Sequence, residues 1–532
     1  MTILTTSKAD LSQPIPVVAI PEQYNAAYDL IQRNLEAGRG DKVAYIDDNG
    51  SYTFAQVDRL SNQFANMLTQ DLGLIREQRV MLCLLDSIDF PVAFLGAIKA
   101  GVVPIALNTQ LTASDYDYIV HDSGASVTFA SPSLMPMFTP LTNDSSRLQR
   151  VICVDRNAKQ APLYQQQMQA ASELYDCALT CADEACFWLY SSGSTGNPKG
   201  TVHIHSSMIN TAELYGRNVI GITEDDLIFS AAKLFFAYGL GNALSFPFAI
   251  GATTLLMAER PTPDAIIERL RLYQPTLFCG VPTLFAALLA QDNLPSAEEV
   301  SLRCCTSAGE SLPESIAKAW QDRFNSAIYD GIGSTEMLHI FIANGPGNVR
   351  TGTTGQPVPG YEARLTDEHG NTIEEANVTG DLLVRGPSTA QQYWHNRKKS
   401  QATFQGAWVH SGDKFYRTEE GFYVYAGRSD DMLKVSGIYV SPIEVEACLS
   451  SHPAVLEAAI VGAEDKHGLT KPAAYVVLNQ GHAGNDSLTQ ELQVYTKRLL
   501  AKHKYPRWVY YVDDLPKTAT GKIQRFRLRV QD

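Results

Sequence analysis

Residues 189–200 read Leu-Tyr-Ser-Ser-Gly-Ser-Thr-Gly-Asn-Pro-Lys-Gly, setting Ser191, Ser192, Ser194 and Thr195 among Gly193, Gly196 and Gly200, with Lys199 close behind. Glycines let backbone N–H groups turn toward a ligand, hydroxyls add donors, and a lysine adds positive charge, a combination suited to a polyphosphate. The segment is not a Walker A loop, because the lysine is followed by Gly200 rather than by Ser or Thr. Phe187-Trp188-Leu189-Tyr190 runs into it like a buried strand, which argues against a flexible linker.

Four further segments carry residue types with related chemistry. Tyr329-Asp330-Gly331-Ile332-Gly333-Ser334-Thr335-Glu336 ends on an acid, and a carboxylate is a ligand that hard Mg²⁺ prefers. Its two glycines imitate a dinucleotide-binding loop, but the third glycine position is Glu336. His410-Ser411-Gly412-Asp413 offers a carboxylate able to accept two hydroxyl hydrogen bonds. Gly427-Arg428-Ser429-Asp430-Asp431-Met432-Leu433-Lys434 is a charged stretch, and Pro516-Lys517-Thr518-Ala519-Thr520-Gly521-Lys522 places a lysine in a Thr/Gly loop. A compact ammonium there is a good point charge against a developing phosphate anion. Lys517, Arg525 and Arg527 would help to hold anions.

In this order and spacing, the five segments resemble those of the adenylate-forming superfamily of acyl- and aryl-CoA ligases, luciferases and peptide-synthetase adenylation domains. The resemblance spans nearly the whole chain. It implies ATP, Mg²⁺ and CoA as cofactors or co-substrates, with Thr335 on the α-phosphate and Glu336 on the metal. Asp413 becomes the ribose ligand, Arg428 its helper and Lys522 the catalytic lysine. Ser307-Ala308-Gly309-Glu310 resembles the family's adenine-side segment and Tyr329 its stacking aromatic, although Gly309-Glu310 also reads as a helix cap. The resemblance makes Asp430 the hinge and Lys434, Ser436 and Gly437 the segment that meets CoA after the small domain rotates.

Leu234-Phe235-Phe236-Ala237-Tyr238-Gly239-Leu240-Gly241-Asn242 and Glu336-Met337-Leu338-His339-Ile340-Phe341 resemble the corresponding segments of bacterial benzoate-CoA ligases. On that resemblance Phe236, Ala237, Tyr238, Gly239, His339 and Ile340 line an aromatic acid's pocket, with His339 donating a hydrogen bond to the carboxylate. Ordinary core packing is the competing account of these aromatics. Hydroxybenzoate- and aminobenzoate-CoA ligases remain alternatives, as does a stand-alone adenylating enzyme. A peptide-synthetase module is disfavoured because no carrier domain follows Lys522.

With 532 residues, two or more domains are expected. We place the boundary at Asp430, giving a large domain over 1–429 and a small mobile one over 430–532. Acidic residues (57) outnumber basic ones (43), for a net charge of -14, which argues against nucleic acid or an anionic membrane as partner. The nine cysteines are scattered, as in a reduced cytoplasmic protein, and no signal peptide or membrane span is expected. The oligomeric state stays open between a monomer and a homodimer.

The elements that must position these residues read as α/β. Asn49-Gly50 between Val43–Ile46 and Tyr52–Phe54 predicts a hairpin. Val80–Leu85, Phe90–Ala100 and Val102–Leu107 predict strand, helix and strand of a parallel unit, and Leu227–Ala231, Ala265–Tyr273 and Thr276–Cys279 repeat it. From about residue 361, short strands with turns predict an antiparallel subdomain, followed after Arg428 by a compact α+β segment.

Overall fold

The computed structural model describes residues 4–142, 147–155, 161–193, 196–429, 431–435, 438–465, 469–517 and 523–528. It divides into two compact units, one of residues 1–363 with 384–409 and the other of residues 364–383 with 410–532.

The first unit is built on two sheets whose central strands are parallel. One has seven strands in the order Gln392–Tyr393, Gly196–Ile204, Ala185–Gly193, Val103–Ala106, Arg79–Cys83, Val127–Ala130 and Arg150–Cys153. The other has nine, in the order Gln356–Pro357, Ile340–Ala343, Ile328–Gly333, Cys304–Ser307, Leu277–Gly280, Leu227–Ser230, Thr253–Leu255, Val43–Asp47 and Gly50–Thr53. The expected hairpin at Asn49-Gly50 forms the antiparallel edge of the second sheet. Both expected strand–helix–strand units are present, with Arg79–Cys83 parallel to Val103–Ala106 and Leu227–Ser230 parallel to Leu277–Gly280.

Strands covered on both faces should read as continuous apolar runs, and Val80, Met81, Leu82 and Cys83 are all fully buried. The helix Asp89–Lys99 is buried along its whole length. Gly96 explains how it lies so close to the helix Phe54–Asn66: a Cβ at Gly96 would come within 2.7 Å of the Ser61 carbonyl oxygen. The nine-stranded sheet packs its helices around Phe278, Phe285 and Trp320, with the Phe285 ring meeting the other two edge-on at 5.6 and 4.7 Å.

The second unit carries short strands expected after residue 361, among them Asp413 to Arg417 of the strand Trp408–Arg417, paired antiparallel with Tyr423–Arg428. It continues into a three-stranded sheet of Val455–Glu464, Thr470–Leu478 and Trp508–Tyr511. The helices Pro442–Ser450 and Asp486–Leu499 cover that sheet through Val445, Leu449, Leu488 and Leu492. Among the described residues no helix is long and apolar enough to cross a membrane, and all nine cysteines are free thiols.

Candidate active site

In an open parallel sheet, ligands bind beyond the carboxyl ends of the strands. Here Gly280 lies beside Ser307, so two neighbouring strands end level, and Ser307 lies beside Asp330 of a third strand that runs on to Gly333. Ala308-Gly309-Glu310 leaves from one of these ends. Gly309 is left-handed (φ 93°), with open space where a Cβ would project. The next helix starts at Glu314 with Pro313 at its cap, which removes the cap reading of Gly309-Glu310. Tyr329 and Asp330 are buried within the adjoining strand. Burial pushes the Asp330 carboxyl well above the usual range, against the opposing effects of the Ser307 hydroxyl and the Gly331 N–H.

Beyond Gly333 the chain makes a tight turn. The Thr335 carbonyl accepts from the Leu338 N–H at 3.2 Å, and Leu338 itself is left-handed (φ 65°). Gly331 and Gly333 are required here by their neighbours: a Cβ on Gly333 would lie 2.6 Å from the His339 carbonyl oxygen, and one on Gly331 would lie 2.9 Å from Ile340 Cγ2. These glycines therefore permit close strand approach; a ligand is not what demands them. The turn is braced from three directions. His203 Nε2 meets the Thr335 carbonyl at 2.8 Å, the Ala390 N–H donates to the Glu336 carbonyl at 2.8 Å, and the Ser388 hydroxyl donates to the Met337 carbonyl at 2.7 Å. A carbonyl only accepts, so His203 Nε2 carries the proton. Burial drops the His203 pKa to about 4, and its ring stacks on Phe187 at 5.1 Å. The half-buried Glu336 accepts the Tyr393 hydroxyl on Oε1 at 2.6 Å.

The Gly/Ser-rich segment is a hairpin, with Ala185–Gly193 antiparallel to Gly196–Ile204 and Lys199 opposite Ser191. Among the described residues the buried Ser191 hydroxyl has no hydrogen-bond partner, as suits a donor kept for a ligand. Lys199 Nζ lies 4.5 Å from the centroid of the Tyr393 ring. Ser194 and Thr195 lie outside the described residues.

The aromatic segment leaves the end of Leu227–Ser230. Its Leu234 N–H donates to both Asp86 carboxylate oxygens (3.3 and 3.2 Å), and buried Lys233 donates to the Met257 and Glu259 carbonyls. Burial raises the Asp86 carboxyl to about 6, against the pull of Lys233. The chain then doubles back so tightly that a Cβ at Gly239 would overlap the Lys233 carbonyl. Tyr238 is fixed at both ends: its hydroxyl bonds Thr306 Oγ1 at 2.7 Å, and its carbonyl faces His339 Nε2 at 3.2 Å. His339 sits among Tyr215, Tyr238 and Phe246, with ring centroids at 5.5, 5.4 and 4.5 Å, and burial drops its pKa to about 3. A Cβ on Gly241 would run into its imidazole.

Phe236, Ala237 and Tyr238 are half-buried, and Phe236 leans on Phe235 at 4.5 Å. Ile340 is buried over Gly331. His339, the expected donor to the acid, already meets a backbone carbonyl. Its neutral ring spends the Nε2 proton on the Tyr238 carbonyl, which leaves Nδ1 as an acceptor.

Within the second unit, Asp413 is buried and paired with Arg428 at 3.1 Å, and the Asp413 N–H donates to Ser411 Oγ at 3.0 Å. Gly412 (φ 76°) lets Arg428 fold across, since a Cβ there would lie 2.8 Å from Arg428 Nη2. Asp430, Ser436, Gly437 and Lys522 lie outside the described residues. Lys434 falls in the strand Leu433–Val435, which pairs with Ile438–Val440. The chain flanking 518–522 is closed by an antiparallel bridge between Lys517 and Ile523 and by the Gln524 N–H donating to the Pro516 carbonyl at 2.7 Å. The expectation that Lys517 and Arg525 hold anions is corrected. Lys517 pairs with Glu457 at 2.7 Å, while Arg525 pairs with Glu446 at 2.6 Å and Asp431 at 3.4 Å.

Tyr393, His203 and Asp86 escaped the sequence reading. They act on the backbone or carboxylate of a recognised residue, and no local pattern marks that.

Two parallel-cored sheets, a glycine-rich hairpin and a Thr-Glu turn beyond the strand ends are the frame of a nucleotide-binding enzyme. Residues 31–394 match the AMP-binding enzyme family and residues 444–522 match its C-terminal domain, so the chain belongs to that family. It is 57% identical to a benzoate–CoA ligase of Thauera aromatica over 99% of both chains. It is 47% identical to a 4-hydroxybenzoate–CoA/benzoate–CoA ligase of Rhodopseudomonas palustris, over 95% of this chain and 94% of that one. Among solved structures, a benzoate CoA ligase from Burkholderia xenovorans LB400 is 51% identical, with a TM-score of 0.87, covering 95% of this chain and 99% of that one.

Proposed function

We propose that this protein is an AMP-forming benzoate-CoA ligase. The observation that carries the reading is the pair of rings Tyr238 and His339, 5.4 Å apart and joined by the Tyr238 carbonyl–His339 bond. The relatives acting on benzoate support it.

A carboxylate is a poor acyl donor because its leaving group would be oxide. In the first step a benzoate oxygen attacks the α-phosphorus of ATP, the bond to pyrophosphate breaks, and benzoyl-AMP forms. Ser191, Ser192, Gly193, Ser194, Thr195, Gly196 and Lys199 hold the phosphates. Ala308, Gly309, Glu310 and Tyr329 to Gly333 border the adenine, and Asp413 and Arg428 take the ribose. Thr335 and Lys522 meet the charge developing on the α-phosphate. In the second step the CoA sulfur attacks the acyl carbon and AMP departs with the bonding pair. Residues 430–532 rotate as a mobile domain about Asp430 between the steps, withdrawing Lys522 and bringing Lys434, Ser436 and Gly437 to pantetheine.

The residues present suit Mg²⁺. Glu336 is a carboxylate on a braced turn and would hold the ion together with oxygens of the bound nucleotide, as a hard cation prefers. Mg²⁺ would neutralise phosphate charge and strengthen the α-phosphorus as an electrophile. Cytoplasmic supply of ATP and CoA fits this reading.

The test is AMP release with ATP, Mg²⁺, CoA and a panel of acids. Benzoate should be turned over best, small ring-substituted benzoates less well, and acetate or long fatty acids poorly. Preference for hexanoate or longer chains would overturn the pocket assignment.

A further inference from the structure

We infer that Tyr393 is a positioning residue that fixes Glu336 for the metal and Lys199 for the phosphates through two different parts of one side chain. The inference rests on the reading of Glu336 as the Mg²⁺ ligand. The Tyr393 hydroxyl donates to Glu336 Oε1 at 2.6 Å, a length typical of a bond to a charged acceptor. The same ring lies under Lys199, whose ammonium is 4.5 Å from its centroid, inside the range of a cation–π contact.

Tyr393 is itself held firmly. It is buried, it pairs in register with Thr201 of the glycine-rich hairpin, and its ring packs on Phe404 at 5.2 Å. Its N–H also donates to the Ser400 hydroxyl at 3.0 Å. A rigid ring thus sets the separation between a cation for the phosphates and a carboxylate for the metal. Both of those side chains are long and would otherwise lose rotamer freedom on binding. The hydroxyl engages one oxygen of Glu336 and orients the carboxylate plane, as outer partners of metal-binding carboxylates do.

The two functions separate by substitution. Tyr393→Phe keeps the ring and removes only the hydroxyl, whereas Tyr393→Leu removes both. Calorimetric titration of ATP into the full-length protein, with excess Mg²⁺ and with EDTA, reads them independently of turnover. Wild type should bind ATP more tightly with Mg²⁺. Tyr393→Phe should lose about tenfold or more of that metal-dependent gain, with affinity in EDTA unchanged. Tyr393→Leu should weaken ATP binding in EDTA as well. Thermal unfolding of Tyr393→Phe close to wild type checks that the change is local. A full Mg²⁺ gain in Tyr393→Phe, alongside its loss in Glu336→Gln, would overturn the role of Tyr393 alone. An unaltered gain in Glu336→Gln would overturn the metal reading of Glu336, and the inference with it.

Discussion

Around His339 the protein fixes its polar groups by burying them; around Asp413 and Arg525 it fixes them by pairing charges. His339 is enclosed by three aromatic rings and keeps one hydrogen bond, to a backbone carbonyl. Asp413 and Arg428, Lys517 and Glu457, and Arg525 with Glu446 and Asp431 are ion pairs, several of them partly in water. A group held by burial has its protonation state set by desolvation and tolerates no added volume. A group held by charge tolerates volume and responds to deletion of its partner. An apolar acid suits the first arrangement.

The largest expected effect tests the charge-dominated side. Lys522→Ala should slow benzoyl-AMP formation by about 10²–10³-fold, the cost of losing one charge stabiliser in a transition state. Thioester formation from supplied benzoyl-AMP should be spared. Pyrophosphate exchange and single-turnover CoA acylation measure the two steps, and an equal loss in both would make Lys522 structural.

Sequence and structure agree most closely where the chemistry is local. The hairpin at Asn49-Gly50 and the buried run Val80–Cys83 were legible because turn residues and apolar runs act on their own neighbours. The site was legible as far as its motifs extend. Tyr393 reaches Glu336 from a strand at the far edge of the other sheet, and Asp86 reaches Leu234 across 148 residues. Such contacts are set by tertiary packing and leave no spacing to read. Lys517 and Arg525 misled for the same reason: a basic cluster shows positive charge, and only the fold reveals Glu457, Glu446 and Asp431 already neutralising it.

The next effect belongs to burial. His203 is neutral in the folded state, its pKa lowered to about 4 from 6.5, while in the unfolded chain it protonates near 6.5. Between those values the unfolded state binds more protons, so this contribution is full above 6.5 and is lost as pH falls toward 4. The buried carboxyls of Asp86 and Asp330 have raised pKa values and act with the opposite sign, so the measurement must be a difference. Urea unfolding of wild type and His203→Gln should converge by about 2 kcal/mol between pH 6.5 and pH 5. Parallel curves would show that His203 is protonated or solvated in the fold.

Gly241→Ala probes the tolerance for volume. The new methyl would meet the His339 ring, which is hemmed in by Tyr215 and Phe246. Overpacking of this kind costs about 1–3 kcal/mol. If His339 walls the acid slot, the cost should fall on kcat/KM for benzoate while ATP binding holds. An equal fall in ATP affinity would mean that the wall and the nucleotide site are not separable.

The smallest effect has the opposite sign. Tyr215 lies beside His339, with ring centroids 5.5 Å apart, and its buried hydroxyl has no partner among the described residues. A buried unsatisfied donor costs about 1–3 kcal/mol, and Phe fills the same volume without it. Tyr215→Phe should therefore raise the unfolding free energy by about 1 kcal/mol and leave benzoate turnover unchanged. A hydroxylated ring is the discriminating substrate. If the Tyr215 hydroxyl serves a polar ring substituent, 4-hydroxybenzoate should lose relative to benzoate in the variant. If stability rises and the ratio of the two acids stays fixed, the hydroxyl is a cost of the buried wall with no part in choosing the acid. A fall in stability would show the hydroxyl to be satisfied in solution, and burial would then not be the whole account of how this side of the site is held.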